Sequence, residues 1–158
     1  MPEKQTVERA EKAKRQGKSP STQSGEFVHE EIHHIREGKH GARSTKQAIA
    51  IGLSKARRAG VDLPPPKKGA VSEKTRRAAD RDYKRGRQGK SKISRSRSQA
   101  RQRALKGEAR SAASRNALAT QARSAARSAS ARKAARTKGS KGRSAAARKA
   151  ARARARHG

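Results

Sequence analysis

The stretch Ser44-Thr45-Lys46-Gln47-Ala48-Ile49-Ala50-Ile51-Gly52-Leu53-Ser54-Lys55-Ala56-Arg57-Arg58-Ala59-Gly60 decides the fold. Ser44 and Gln47 stand at the spacing of a capping box, in which a side-chain hydroxyl accepts a backbone N–H that the helix leaves open. Ile49, Gly52, Leu53 and Ala56 then fall on one face at helical spacing. Gly60 supplies a stop, Val61 can fold back on the last turn as in a Schellman motif, and Pro64-Pro65-Pro66 prevents continuation.

Upstream, Phe27, Val28, Ile32 and Ile35 recur on one helix face, with Ser24 as the expected N-cap and Gly38 as the stop. Lys39 to Arg43 is a connection of ordinary length for two antiparallel helices, so residues 24–63 read as a helical hairpin. Ser19 to Ser24, with Pro20, reads as a linker. Pro2 to Gly17 has only Val7 as a sizeable apolar anchor and reads as a frayed helix. The expected organisation is a charged N-terminal arm at 1–23, the hairpin module at 24–63, a Pro/Lys linker at 64–70, a polar helix at 71–85 capped by Ser72, and a disordered Arg/Lys/Ala/Ser-rich tail at 86–158. The fold class is thus mostly α with extensive disorder: a short helical hairpin (about 24–63) flanked by a frayed N-terminal helix and a low-complexity basic tail. A hairpin of roughly 40 residues sits at the limit of independent stability, which makes a homodimer through the hairpin, or a partner, a reasonable requirement.

Charge sets the function class. The chain carries 44 Lys and Arg against 12 Asp and Glu, a formal net charge of +32, with a pI near 11.9. Residues 1–83 hold 19 basic and 11 acidic residues, whereas residues 84–158 hold 25 and 1. Val, Ile, Leu and Phe supply 14 of 158 residues, well below the roughly 20% that marks disorder when charge is high. Such a chain needs a polyanion to neutralise it, so nucleic acid is the expected partner, duplex DNA first, with an RNA- or ribosome-associated basic factor, or a protein-interaction module tethered to nucleic acid by its tail, as the alternatives. Phe27 and Tyr83 are the only aromatics and Trp is absent, which disfavours base stacking and leaves sequence-independent phosphate contact.

The tail repeats itself imperfectly: Ala109-Arg110-Ser111-Ala112-Ala113 returns as Ala122-Arg123-Ser124-Ala125-Ala126, and Arg132-Lys133-Ala134-Ala135-Arg136 returns as Arg148-Lys149-Ala150-Ala151-Arg152. Ala and Arg favour helix, while like charges such as Arg123 and Arg127 at i, i+4 oppose it until phosphate neutralises them. The expected phosphate contacts are Lys46, Lys55, Arg57 and Arg58 on the second hairpin helix, together with Arg95, Arg97, Arg101, Arg103, Arg123, Arg127, Arg132, Lys133, Arg136, Arg148, Lys149, Arg152, Arg154 and Arg156. Ser94, Ser96 and Ser98 lie among these cations, where phosphorylation would weaken binding.

The segment Arg43 to Gly60, together with Glu37-Gly38-Lys39 upstream, resembles an uncharacterised family of small basic bacterial proteins over about residues 24–66. The resemblance implies a bacterial source and a shared module rather than an activity. The tail is similar in composition to the Ala/Lys/Arg-rich tails of bacterial linker-histone-like proteins, which implies a nucleoid-associated, histone-like role.

Catalytic chemistry finds little support. His29-Glu30-Glu31-Ile32-His33 matches the H-E-x-x-H pattern that binds zinc through two histidines one helical turn apart. The extended form of that motif fails, because Arg36 and Lys39 stand where Gly and the third His would be. His29 and His33 are the metal candidates of the sequence, set against the plainer reading of solvated histidines, and His40 is a near miss. No enzyme activity and no cofactor are expected. Zero cysteines exclude a disulfide framework and thiol catalysis. The longest strongly apolar run, Ala48 to Ile51, is too short to span a membrane, so the expected location is the cytoplasm, on the nucleoid.

Overall fold

The computed structural model describes residues 2–89 and 95–155, with side chains described except at Arg95, Arg97, 138–147 and 149–154. The described residues are mostly helical and contain no strand: α1 (Lys4–Arg15), α2 (Pro20–Arg36), α3 (Thr45–Arg58), α4 (Glu73–Arg87), α5 (Arg95–Lys106), a 3-10 turn (Ser111–Ala113) and α6 (Arg115–Ala155). The chain divides into two compact units between Leu118 and Ala119.

The hairpin forms the centre of the first unit, as α2 and α3. Ser44 caps α3 by accepting the Gln47 N–H at 3.2 Å, and Gln47 Oε1 accepts the Arg43 N–H at 2.9 Å. Gly60 adopts φ +90°, and the Val61 N–H closes the turn on the Ala56 carbonyl at 3.1 Å, so the expected Schellman stop is present.

The face that α3 buries agrees with the expected one at Gly52 and Ala56 and differs from it at Ile49 and Leu53. Thr45, Ala48, Gly52 and Ala56 are buried, whereas Ile49, Ile51 and Leu53 are only partly so. The reason is proximity: a Cβ on Gly52 would lie 2.7 Å from Val28 Cα and 3.0 Å from the Phe27 carbonyl oxygen. Small residues let the two backbones approach, and the larger side chains take the flanks.

The start of α2 is also displaced from its expected place. Ser19, not Ser24, is the N-cap, accepting the Thr22 N–H, and Pro20 occupies the first helical turn. There proline loses nothing by lacking an N–H and its fixed φ suits the helix. The stretch read as a linker is therefore the first turn of α2, and Ser24 is buried inside the helix. Nor is α1 without a face to bury. Thr6, Ala10 and Ala13, at i, i+4 and i+7, are buried, and Ala10 joins Phe27, Ala56 and Val61 in one apolar cluster flanked by Val7 and Leu63.

The second apolar cluster contains Ile32, Ile35, Ala42, Ala48, Ala112 and Ala113, with Val28 and Leu118 packed against it. Its last members come from the region assigned to the tail, so the packed unit extends well beyond residue 86. Backbone bonds fix this return. The Gly41 N–H meets the Leu105 carbonyl at 2.8 Å and the Ala42 N–H meets that of Ala109 at 3.0 Å. Thr45 Oγ1 donates to the Ala112 carbonyl at 2.7 Å and Arg36 Nε to that of Ala113 at 2.9 Å.

On the other side of α3, α4 begins at a Ser72 cap and runs through Arg87. It docks through buried Ala79 and through Gly86, whose Cβ position falls on the Arg57 carbonyl. Tyr83 Oη donates to Asp62 at 2.6 Å. The support that an isolated hairpin would need is thus supplied from within the chain, by α1, α4 and residues 105–118.

Replacing Gly52 with Ala tests the close approach. Helix propensity alone would stabilise the variant by about 1 kcal/mol. Overpacking against Val28 costs about 1–3 kcal/mol, so a net loss of urea stability is expected. A gain would show that α2 and α3 are not in tight contact there.

Candidate functional site

Three sets of charged side chains have functional potential, and they differ in where their charge goes. The first belongs to the folded unit and turns inward. Lys55, on α3, places Nζ 3.0 Å from Glu30 Oε1 and 2.7 Å from Glu31 Oε2. Both carboxylates are buried, Glu31 completely. Glu31 lies midway between Phe27 and Ile35 in steps of four, so the α2 register forces it into the apolar stripe. Glu30 Oε2 accepts the Glu3 N–H at 3.1 Å, tying down the start of α1. Burial raises the Glu30 pKa, but hydrogen bonds from Lys55, Thr6 and the Glu3 backbone together bring it below its ordinary value.

His34 and His40 complete the cluster. His34 Nε2 lies 2.8 Å from Glu3 Oε1 and Nδ1 3.9 Å from Glu30. His40 Nε2 lies 3.2 Å from Glu31 Oε1. His33 and His29, the metal candidates of the sequence, are exposed and stack on each other at 6.3 Å between ring centroids. His33 pairs only with Glu37, at 3.1 Å. The H-E-x-x-H register therefore points its histidines to solvent and its glutamates inward.

The same inward turn occupies three of the four α3 cations expected to contact phosphate. Lys55 stands between two buried carboxylates, its single charge shared by both. Arg57 is buried, donating through Nε to the Leu63 carbonyl at 3.1 Å, and desolvation holds its pKa down. Arg58 donates to the Ser54 carbonyl at 3.2 Å and faces Asp82 at 3.8 Å, where Ser54 Oγ also donates. These cations hold α2, α4 and the proline segment against α3. Lys46 alone of the four is exposed.

The second set faces solvent. Arg101 and Arg103 on α5 are exposed, as are Arg123, Arg127, Arg132, Lys133, Arg136 and Arg148 on α6. Beyond Glu108 the sequence holds no acid. Nine residues separate Arg123 from Arg132 and Arg127 from Arg136, about half a turn out of phase at 3.6 residues per turn. Cations consequently stand on opposite sides of α6. Arg156 and Ser94 lie outside the described residues, as do the side chains of Arg95, Arg97, Lys149, Arg152 and Arg154.

The sequence reading missed a third group, the outer surface of α4, where Lys74, Arg77, Arg81, Lys84 and Arg85 are exposed. Its acids answer part of that charge: Glu73 pairs with Arg76 at 2.7 Å and Asp80 with Lys84 at 2.9 Å. The signal was present in Glu73 to Arg87, where the small residues Ala79 and Gly86, seven positions apart, mark the inner face and leave Lys74, Arg77, Arg81, Lys84 and Arg85 to solvent.

No helix among the described residues is long and apolar enough to cross a membrane. Residues 3–69 match DUF6496, described as a family of unknown function. The match ends before α4. No curated protein and no solved structure matches the chain.

Lys55→Met would leave Glu30 and Glu31 buried without their common counter-ion. Removing one partner of a buried pair costs about 3 kcal/mol or more, so the urea midpoint is expected to fall sharply. An unchanged midpoint would mean that the cluster contributes nothing to stability.

Proposed function

We propose that the protein binds nucleic acid, duplex DNA foremost, without catalysis and without reading sequence, through phosphate contacts made by its C-terminal cations. The observation that carries this reading is the exposed row Arg123, Arg127, Arg132, Lys133, Arg136 and Arg148 in a segment without a single carboxylate. Free like charges at this density repel one another. A polyanion removes that repulsion and releases its own counter-ions, and the released ions drive association. Cations on opposite sides of one helix suit contact with two phosphate strands, or two duplexes, at once. Such an arrangement supports a nucleoid-associated, histone-like role in condensing duplex DNA.

The segment is proposed to be disordered when free and helical when bound, because the i, i+4 repulsion between Arg123 and Arg127 disappears on phosphate. Circular dichroism should then show a gain of helix on adding duplex DNA at low salt, reversed at high salt. A spectrum indifferent to DNA would remove the coupling of folding to binding.

The binding itself is tested with the full chain and a variant carrying Arg123→Gln, Arg127→Gln, Arg132→Gln and Arg136→Gln, titrated on duplex DNA across a salt series by fluorescence anisotropy. Each phosphate contact contributes about 0.9 to the slope of log K against log salt. The variant's slope should therefore be shallower by about 3 to 4. Equal slopes would remove these residues from the interface. Tighter binding to structured RNA than to duplex DNA at matched salt would identify an RNA-associated factor instead.

A further inference from the structure

We propose that Glu31, His34 and His40 form a binding site for a divalent transition-metal ion of the zinc class, a reading independent of the nucleic-acid proposal. One ligand atom from each residue lies within 4.8 Å of the other two. Zinc takes nitrogen and oxygen ligands at about 2.0–2.2 Å in a tetrahedron, whose edges are then about 3.4 Å. The His40 Nε2 to Glu31 Oε1 distance of 3.2 Å already matches such an edge, and His34 stands within 4.8 Å of both.

Glu31 is the residue that asks for a cation. It is fully buried, and neither of its oxygens has a hydrogen-bond partner. Lys55 Nζ is close to Oε2, at 2.7 Å, yet outside hydrogen-bonding alignment, so it offsets charge without filling a lone pair. Oε1 faces His40. A buried acceptor left open carries its desolvation penalty unrelieved, which a ligand at Oε1 would recover.

The tautomers point the same way. His40 Nδ1 is 3.1 Å from the Gly41 carbonyl, an oxygen that only accepts, so Nδ1 carries the proton. In neutral His40 the lone pair then sits on Nε2, directed at a carboxylate that also only accepts. A metal ion between them would answer both. For His34, the Glu3 carboxylate at Nε2 holds the proton there and leaves the lone pair on Nδ1. Both imidazoles therefore show the arrangement of metal-ligating histidines, in which one nitrogen is fixed by an outer oxygen and the other is free to ligate.

Two imidazoles and one carboxylate favour zinc, nickel, cobalt or copper over magnesium and calcium, which prefer all-oxygen shells. With three protein ligands, a fourth position is left for water. Glu31 would ligate through Oε1 while Oε2 keeps Lys55. The ion would clamp α2 to the 39–43 loop, the loop whose Gly41 and Ala42 hold residues 105 and 109.

The test uses the full chain, stripped with chelator and freed of nucleic acid at high salt, titrated calorimetrically with ZnCl2 and separately with MgCl2. One zinc per chain and no magnesium heat are expected. Losing an outer-shell partner typically costs 10–100-fold in metal affinity, and losing a ligand should cost at least that. His40→Ala and, as a conservative second variant, His40→Gln should each weaken zinc binding by that factor, while His29→Ala with His33→Ala leaves it unchanged. A visible ligand-field band of tetrahedral Co2+ should disappear with the same substitutions. Absence of zinc binding, binding unaffected by both His40 variants, or binding abolished by the His29 and His33 pair would each overturn the site.

Discussion

The backbones of α2 and α3 touch at Gly52, where no side chain fits between the helix and Val28, and the other packed elements depend on that contact. Because the seam is made of small residues, the pair has little apolar bulk of its own to bury. Phe27 and Val61 fill one end with α1, and Ile32 and Ile35 fill the other with Ala112 and Ala113. The short reach between the axes also brings Lys55 of α3 onto Glu30 and Glu31 of α2. A wider crossing would leave those carboxylates buried and unanswered, so the seam and the ion cluster are two aspects of one geometry.

Most of this was legible locally. The Ser44 and Gln47 cap, the Gly60 stop and the Phe27 to Ile35 stripe are short-range signals, and the structure places each where the spacing put it. The misplaced start of α2 came from reading Pro20 as a breaker, when a proline directly after a serine cap is the other thing proline does well. The identity of the inner α3 face was not visible, because hydrophobicity ranks Ile49 and Leu53 above Ala48 and Gly52, whereas interhelical distance favours the smaller pair. The roles of Arg57 and Arg58 were hidden for a related reason. A cation in a sequence carries no mark of whether a carbonyl or carboxylate from a distant segment will claim it, and here Leu63, Ser54 and Asp82 do.

The H-E-x-x-H register shows how one helical offset changes chemistry. His29 and His33 share a face, and so do Phe27, Glu31 and Ile35, but the second face is the one that packs. A regular expression cannot weigh the two. Counting from Phe27 in steps of four would have found Glu31 inside, and a buried carboxylate is what gives His34 and His40 something to converge on. The outward cations of α6 needed no such deduction, since a segment with no acid and hardly any bulky apolar residue has only solvent to face.

The two apolar clusters of the folded unit close at different points along the chain. The one around Phe27 is complete once Leu63 has been made. The one around Ile35 waits for Ala112, Ala113 and Leu118, because Thr45 and Arg36 bond to carbonyls 67 and 77 residues further on. During synthesis, the inner wall of α2 therefore stays open while the whole of α4 and α5 emerges. A chain made only as far as Leu63 therefore has every partner of one apolar cluster and lacks Ala112, Ala113 and Leu118 of the other.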